Sequence, residues 1–386
     1  MTSMPHNTSD NSSNTEELAE GSRSILLSIA SQLTKGMDLH KVTLPTFVLE
    51  PRSMLERITD FMAHPELILP TSIPEIEDDT QRFIAVVKWF LAGWHIKPKG
   101  VKKPYNPVLG EFFRCKYQYE DGTEAYYIAE QVSHHPPCSA YFYTCPQHKV
   151  VITGDLRPKS RFYGNSVASL MHGQINFILP GRHNERYEVK MPNMYARGVL
   201  FGTMTLELGD ASSVRCVSSD LICEMDFQTK GFFSGQCNSV VGKIKRESTQ
   251  EILYEVSGQW SGELFIKKYT AEKSSSTIGG LLSLRSSTNS PEKKPDVLNQ
   301  EEKESRRLWA GLTEGIMEKN MDKATDEKFK VEDRERALRK ERETNKIKWQ
   351  PRFFDVIDGD NYKFKAMDKL DYDHLDQVTT TMQALF

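Results

Sequence analysis

Residues 111–132 read EFFRCKYQYEDGTEAYYIAEQV. Two runs rich in aromatic and β-branched side chains flank a polar Glu-Asp-Gly break, the pattern of short strands separated by turns. The same texture continues through KVVITGDL (149–156), INFILP (175–180), GVLFGTMTLEL (198–208), LICEMDF (221–227), EILYEVSGQW (251–260) and GELFIKKY (262–269). Gly, Pro, Asn and Asp punctuate these runs at short intervals. So many consecutive strands predict a large antiparallel sheet that closes on itself. No fixed-period repeat is present.

The flanks differ. Residues 1–20 are rich in Ser, Asn and Thr and read as a disordered tail. Residues 24–35, SILLSIASQLTK, place Ile25, Ile29 and Leu33 four apart, with Leu26, Leu27 and Ala30 beside them. This spacing predicts an amphipathic helix closed by Gly36. It is either a helix packed on the core or a lid that touches membranes. Residues 78–96 read as a buried helix capped by Asp79 or Thr80. Residues 272–298 are Ser-, Gly-, Lys- and Pro-rich and read as an exposed loop. The last ninety or so residues turn helical: Leu308, Leu312 and Ile316 form one stripe, and a second helix is expected from about Thr325 to Glu343.

Composition narrows the function. The 386 residues carry 50 basic and 53 acidic side chains, a formal net charge of −3, which argues against a nucleic-acid partner. Any anion site must be local. The six cysteines form no CxxC pair and suit reduced thiols. The N-terminus lacks the apolar core of a signal peptide. The most hydrophobic stretch, FIAVVKWFLAGW (83–94), is shorter than the roughly 20 residues that a bilayer span needs.

Three strings carry candidate chemistry. The first is Glu130-Gln-Val-Ser-His-His-Pro-Pro137, in which His134 and His135 end a strand-like run. On an extended chain adjacent side chains point to opposite sides, so they make no chelate, and no metal-ligand cluster accompanies them. Imidazoles can donate hydrogen bonds to an anion. The second runs from Lys97 through Lys99, Lys102 and Lys103 to Tyr105, Asn106 and Gly110. Lys97 and Lys99 suit a solvated loop, whereas prolines stiffen the chain around Lys103 and Asn106 for a fixed contact. The third places Lys328, Glu332 and Arg336 on one helix face. They are either a surface salt-bridge ladder or two cations held by Glu332 for an anionic ligand. No GxSxG elbow, CxxxxxR phosphatase loop or metal set points to an enzyme.

Together, EQVSHHPP (130–137), KPYNPVLGE (103–111) and the Lys328–Arg336 stretch resemble the oxysterol-binding-protein-related lipid-transfer family. Arg334-Glu335 departs from that family's usual residue pair. The resemblance spans roughly residues 22–360. It implies a mainly β fold with flanking helices: an incomplete antiparallel barrel around a hydrophobic tunnel, an N-terminal lid and a helical C-terminal part. On this reading residues 21–386 are one lipid-binding domain. It divides into a lid (21–38, with Ile25, Leu26, Ile29 and Leu33), an N-terminal helical part (39–100), the barrel (101–270), a loop (271–300) and the C-terminal part (301–386).

The resemblance also implies ligands. Lys103, Asn106, His134, His135, Lys328 and Arg336 match contacts to the headgroup of phosphatidylinositol 4-phosphate, with Glu332 in support. LPTFVLEPRSMLER (44–57) and KSRFYGN (159–165) resemble the phosphatidylserine-exchanging branch, most closely its short fungal members. There Leu44, Thr46 and Ser160, with Lys159 nearby, match positions around the serine lipid; without the resemblance they read as core, strand former and turn. Sterol is the alternative cargo, and a lipid sensor or a phosphoinositide-hydrolysing enzyme the alternative class. The implied partners are the two lipids and anionic membrane surfaces at endoplasmic reticulum–plasma membrane contact sites, reached from the cytoplasm by a monomer. No cofactor and no metal are expected.

Overall fold

The structure, a computed structural model, describes residues 15–17, 20–31, 33–37, 45–69, 73–96, 100–229, 237–270, 279–283, 299–359 and 361–386. Leu44, Lys97 and Lys99 lie outside the described residues, as does most of the 1–20 tail.

Strand β1 (Thr15–Glu16) precedes helix α1 (Glu20–Ala30). Strand β2 (Leu49–Ser53), helices α2 (Met54–Arg57), α3 (Pro65–Ile68) and α4 (Asp79–Ala92), and β3 (Lys103–Tyr105) follow. The main run comprises β4 (Phe112–Gln118), β5 (Glu124–His134), β6 (Pro137–Cys145), β7 (Val150–Phe162), β8 (Ser166–His172), β9 (Ile175–Leu179) and β10 (Glu185–Lys190). It continues with β11 (Asn193–Arg197), β12 (Met204–Cys216), β13 (Leu221–Gln228), β14 (Ser239–Arg246), β15 (Ile252–Gln259), β16 (Glu263–Lys268) and β17 (Gly279–Ser283). Helices α5 (Ser305–Leu308), α6 (Ala310–Met317) and α7 (Met321–Thr344), the hairpin β18 (Phe354–Val356) and β19 (Tyr362–Phe364), and α8 (Leu375–Gln383) complete the chain.

Antiparallel pairing runs from β17 back through β16, β15, β14, β13, β12, β10, β9, β7, β6 and β5 to β4. Among the described residues β4 and β17 do not pair with each other, so the barrel is incomplete, as expected. The two 13-residue strands each change neighbour along their length. β7 pairs with β9 over Val151–Gly154 and with β8 over Arg157–Phe162. β12 pairs with β11 over Thr205–Gly209 and with β10 over Ser213–Arg215. β8 pairs with β11 between them, making a panel beside the main wall.

Helix α4 plugs the barrel. It is apolar on nearly all sides, the signature of a fully buried helix. Trp89 packs on Phe177 at 5.0 Å, and Phe83 on Tyr187 at 6.1 Å. Arg82, 2% exposed, reaches both carboxylate oxygens of Glu185 at 2.8 Å and so ties the plug to β10. The helix is capped by Asp78, whose side chain accepts from Gln81 N at 2.8 Å, not by Asp79 or Thr80.

Several expectations change. Thr15 and Glu16 are not tail but pair with Thr205 and Met204. The first helix is Glu20–Ala30, not 24–35: the Ser31 hydroxyl bonds back to Ser28 O at 2.7 Å, and Gly36 N leaves for Phe162 O. Leu33 is therefore off the helix, and Leu26 alone is buried on it, Ile25 being 49% exposed. Residues 198–203 turn instead of extending β12, because the Asn165 carboxamide captures Leu200 N and Phe201 N. Within 271–300, Gly279–Ser283 pair with β16. The stripe at Leu308, Leu312 and Ile316 belongs to two helices that pack on one cluster with Tyr105 and Trp309. The second C-terminal helix starts earlier, at Met321, where Asn320 accepts from Lys323 N at 3.0 Å.

Behind the plug, the rings of His64 and His95 lie 4.9 Å apart. His95 Nδ1 meets the Ala92 carbonyl at 2.6 Å, which can only accept, so Nδ1 carries the proton. Burial holds the His95 imidazole below its ordinary range; the Ala92 carbonyl opposes this, His64 reinforces it, and Asp60 and Glu66 oppose it. The unfolded chain thus takes up this proton first as pH falls. Stability from this group is complete above about pH 6.5 and declines below it, toward the depressed folded value. Calorimetry between pH 7 and pH 5 should show a falling melting temperature, with a shallower slope in His95→Phe.

Candidate functional site

An apolar cavity opens inside the panel formed by β7, β8, β11 and β12. It encloses about 1520 Å³ of space between atoms, its open mouth included. Met54, Met171, Met191, Met194 and Met204 line it, giving a soft wall that adapts to an irregular guest. Leu26 of α1 covers it, 5% exposed, against Val101, Met204 and Leu206. The cover is latched twice: Arg23 donates to Gly202 O at 2.6 Å, and Lys102 meets the Glu16 carboxylate at 2.6 Å. Ile29 and Leu33 are half-buried.

Lys103 stands in the cavity wall, reachable by solvent yet crowded by protein. That crowding lowers its ammonium pKa, and the charge of Lys328 on α7 lowers it further. Lys328 meets Glu332 at 2.8 Å, and Arg336 meets the same carboxylate at 3.3 Å, so the ladder predicted from spacing is present. Asn106 is exposed in the loop that follows β3.

Buried carboxylates fix this loop and the histidines. Glu111, fully buried, accepts from Ser53 Oγ at 2.5 Å, Ser305 Oγ at 2.7 Å, Trp309 Nε1 at 2.9 Å and Val108 N at 3.0 Å. Burial raises its pKa against these four donors. Gly110 adopts φ +75°, and a Cβ there would lie 2.4 Å from the Trp349 ring, so only glycine fits. Glu130 accepts from Arg352 N at 2.7 Å and Phe353 N at 2.8 Å, returning the C-terminal segment to β5. Ser133 Oγ donates to Pro136 O at 2.7 Å across the histidine turn.

His134 ends β5 and is half-buried; His135 is exposed. Their rings do not diverge as an extended chain would place them. The turn between β5 and β6 brings them to 4.6 Å in an edge arrangement. Arg339, not singled out by the sequence, donates from Nη1 to His135 Nε2 at 3.3 Å. Helix α7 therefore spans the site from Lys103 to His135, steadied by Lys303, which bonds both Leu109 O and Glu335.

The serine-lipid candidates separate. Ser160 lines the cavity, whereas Lys159, its neighbour on β7, is exposed. Thr46 is buried, with Oγ1 3.3 Å from Thr325 Oγ1 at the start of α7. Arg57 and Asp60, an ion pair at 3.0 Å in the cavity wall, were not expected and have no local sequence signature. Among the described residues no group of three or more His, Cys, Asp or Glu is placed to hold a metal, and no helix is long and apolar enough to cross a membrane.

The Oxysterol-binding protein family model matches residues 27–314 and 313–374. An oxysterol-binding protein homolog of Schizosaccharomyces pombe is 44% identical over 370 residues, covering 93% of this chain and 75% of the relative. Oxysterol-binding protein homolog 6 of Saccharomyces cerevisiae is 41% identical over 344 residues, covering 88% and 75%. The Osh1 ORD domain solved in complex with cholesterol superposes with a TM-score of 0.71 at 24% identity, covering 92% of this chain and 88% of that one. The Osh3 ORD of Saccharomyces cerevisiae, solved in complex with PI(4)P, gives 0.64 at 20% identity, covering 91% and 92%. From its sequence, its barrel and its covered cavity, the chain belongs to the oxysterol-binding protein family, whose members bind and transfer lipids.

Proposed function

We propose that this protein exchanges phosphatidylserine for phosphatidylinositol 4-phosphate between membranes, without covalent chemistry. The observation that carries the reading is an apolar cavity under Leu26 whose wall holds Lys103, a cation on which the charge of Lys328 also acts. Acyl chains suit the methionine-rich wall. An anionic headgroup relieves the repulsion between the lysines and gains charge-assisted bonds from Lys103, Lys328, Arg336 and the two imidazoles, with Asn106 close by and Glu332 orienting the cations. Ser160, in the cavity wall, supplies a polar contact for the serine lipid, with Leu44, Thr46 and Lys159 as its further candidates. One cavity makes the two cargoes competitive, so a gradient of one drives the other. Sterol is the rival cargo, supported by the cholesterol complex of the similar Osh1 domain. The sites of action are anionic membranes at endoplasmic reticulum–plasma membrane contacts.

A two-vesicle assay tests this. Phosphatidylserine in one population and phosphatidylinositol 4-phosphate in the other should each accelerate transfer of its counterpart severalfold. Sterol transfer accelerated by the phosphoinositide, with phosphatidylserine left behind, would select the rival.

A further inference from the structure

We propose that Arg339 is a further phosphate ligand of this site, acting with His135 one helical turn beyond Arg336; the proposal rests on the phosphoinositide reading above. Arginine has only donors, so its 3.3 Å contact makes His135 Nε2 the lone-pair nitrogen of a neutral imidazole. A guanidinium held by a neutral nitrogen is a cation whose charge is poorly met. Arg336 has Glu332 and Asp333, and Lys328 has Glu332 at 2.8 Å. Among the described residues, the carboxylate that meets Arg339 is Glu343, at 3.7 Å. Arg339 is 49% exposed, so the contact buries little and contributes little to stability.

The pair suits an arriving phosphomonoester. A phosphate oxygen is a far better acceptor for the guanidinium than imidazole nitrogen, and a planar fork can grip two oxygens at once. As Arg339 turns to the phosphate, His135 Nε2 is released. The site thereby has two ends: Lys103 in the cavity wall, under the charge of Lys328 on α7, and His135 beside Arg339, further along the same helix. A headgroup with a second, terminal phosphate uses both ends; one with a single phosphodiester uses the first only.

The experiment measures how much phosphatidylinositol 4-phosphate and how much phosphatidylinositol the full chain extracts from phosphatidylcholine vesicles containing equal amounts of each. Wild type should favour the phosphorylated lipid. Arg339→Gln should reduce that ratio about tenfold or more, the value of one charge-assisted bond, with an unchanged melting temperature. Arg339→Lys, keeping charge but losing the fork, should fall between. An unchanged ratio in Arg339→Gln overturns the proposal even where His135→Ala lowers it. A wild-type ratio near one removes the phosphoinositide reading and this proposal with it.

Discussion

The double variant His134→Ala/His135→Ala should fold normally and fail to extract phosphatidylinositol 4-phosphate. Both rings sit at the turn between β5 and β6, one half-buried and one exposed, so no core packing is lost. The turn keeps its shape without them, because Ser133 and Gln131 hold it: Gln131 Nε2 donates to Ser133 O at 2.7 Å and Ser139 Oγ donates to Gln131 Oε1 at 2.5 Å. What disappears is two hydrogen bonds to an anion, each about 1.5–3 kcal/mol. Together they correspond to a loss of about a hundredfold or more in affinity. Vesicle extraction alongside a thermal melt reads both halves of the expectation. A folded variant that extracts the lipid as wild type does would remove the histidines from the site.

Deleting residues 1–35 should slow net transfer severalfold and leave the protein more firmly bound to anionic vesicles. Leu26 is the one deeply buried side chain of α1, and its burial against the cavity contributes about 1.5–3 kcal/mol to closure. Glu16 adds a second effect. It neutralises Lys102 in the closed state, at 2.6 Å, and also accepts from Val101 N at 3.2 Å. Removing the segment exposes the apolar rim and frees Lys102 beside Lys103, worth about 1 kcal/mol for each basic residue near an anionic surface. Leu26→Asp, which keeps Glu16, should lose closure while gaining less membrane attraction than the deletion. Co-sedimentation and two-vesicle transfer on the three proteins separate these effects. Full transfer by the truncated chain with ordinary membrane binding would make α1 a packing helix and nothing more.

The barrel is legible where strands carry aromatic and β-branched runs, as at 111–132 and 149–156, because both faces are buried there: one on the barrel interior and the other under the C-terminal segment around Phe353 and Phe364. β8, SVASLMH, and β11, NMYAR, carry no such run. Small and flexible residues face the cavity there, and an empty lining leaves no dense apolar alternation to read. β14, SVVGKIKR, was hidden by a glycine and by lysines on its solvated side. The ladder of Lys328, Glu332 and Arg336 followed from helical spacing alone. Arg339 did not, because its partner His135 is 204 residues away and nothing local marks the contact. The histidine pair stands out in the sequence, but its converging rings do not, since strand alternation stops at His134 and the turn reverses the chain.

Native mass spectrometry of the full chain, loaded from vesicles containing phosphatidylserine, phosphatidylinositol 4-phosphate and sterol, reads directly which lipids compete for the cavity. One lipid per protein is expected, either of the two phospholipids, with each displacing the other as its share of the vesicle rises and with the His134→Ala/His135→Ala protein lacking the phosphoinositide adduct. Both phospholipids bound at once to one chain, or neither bound while sterol is, would contradict it.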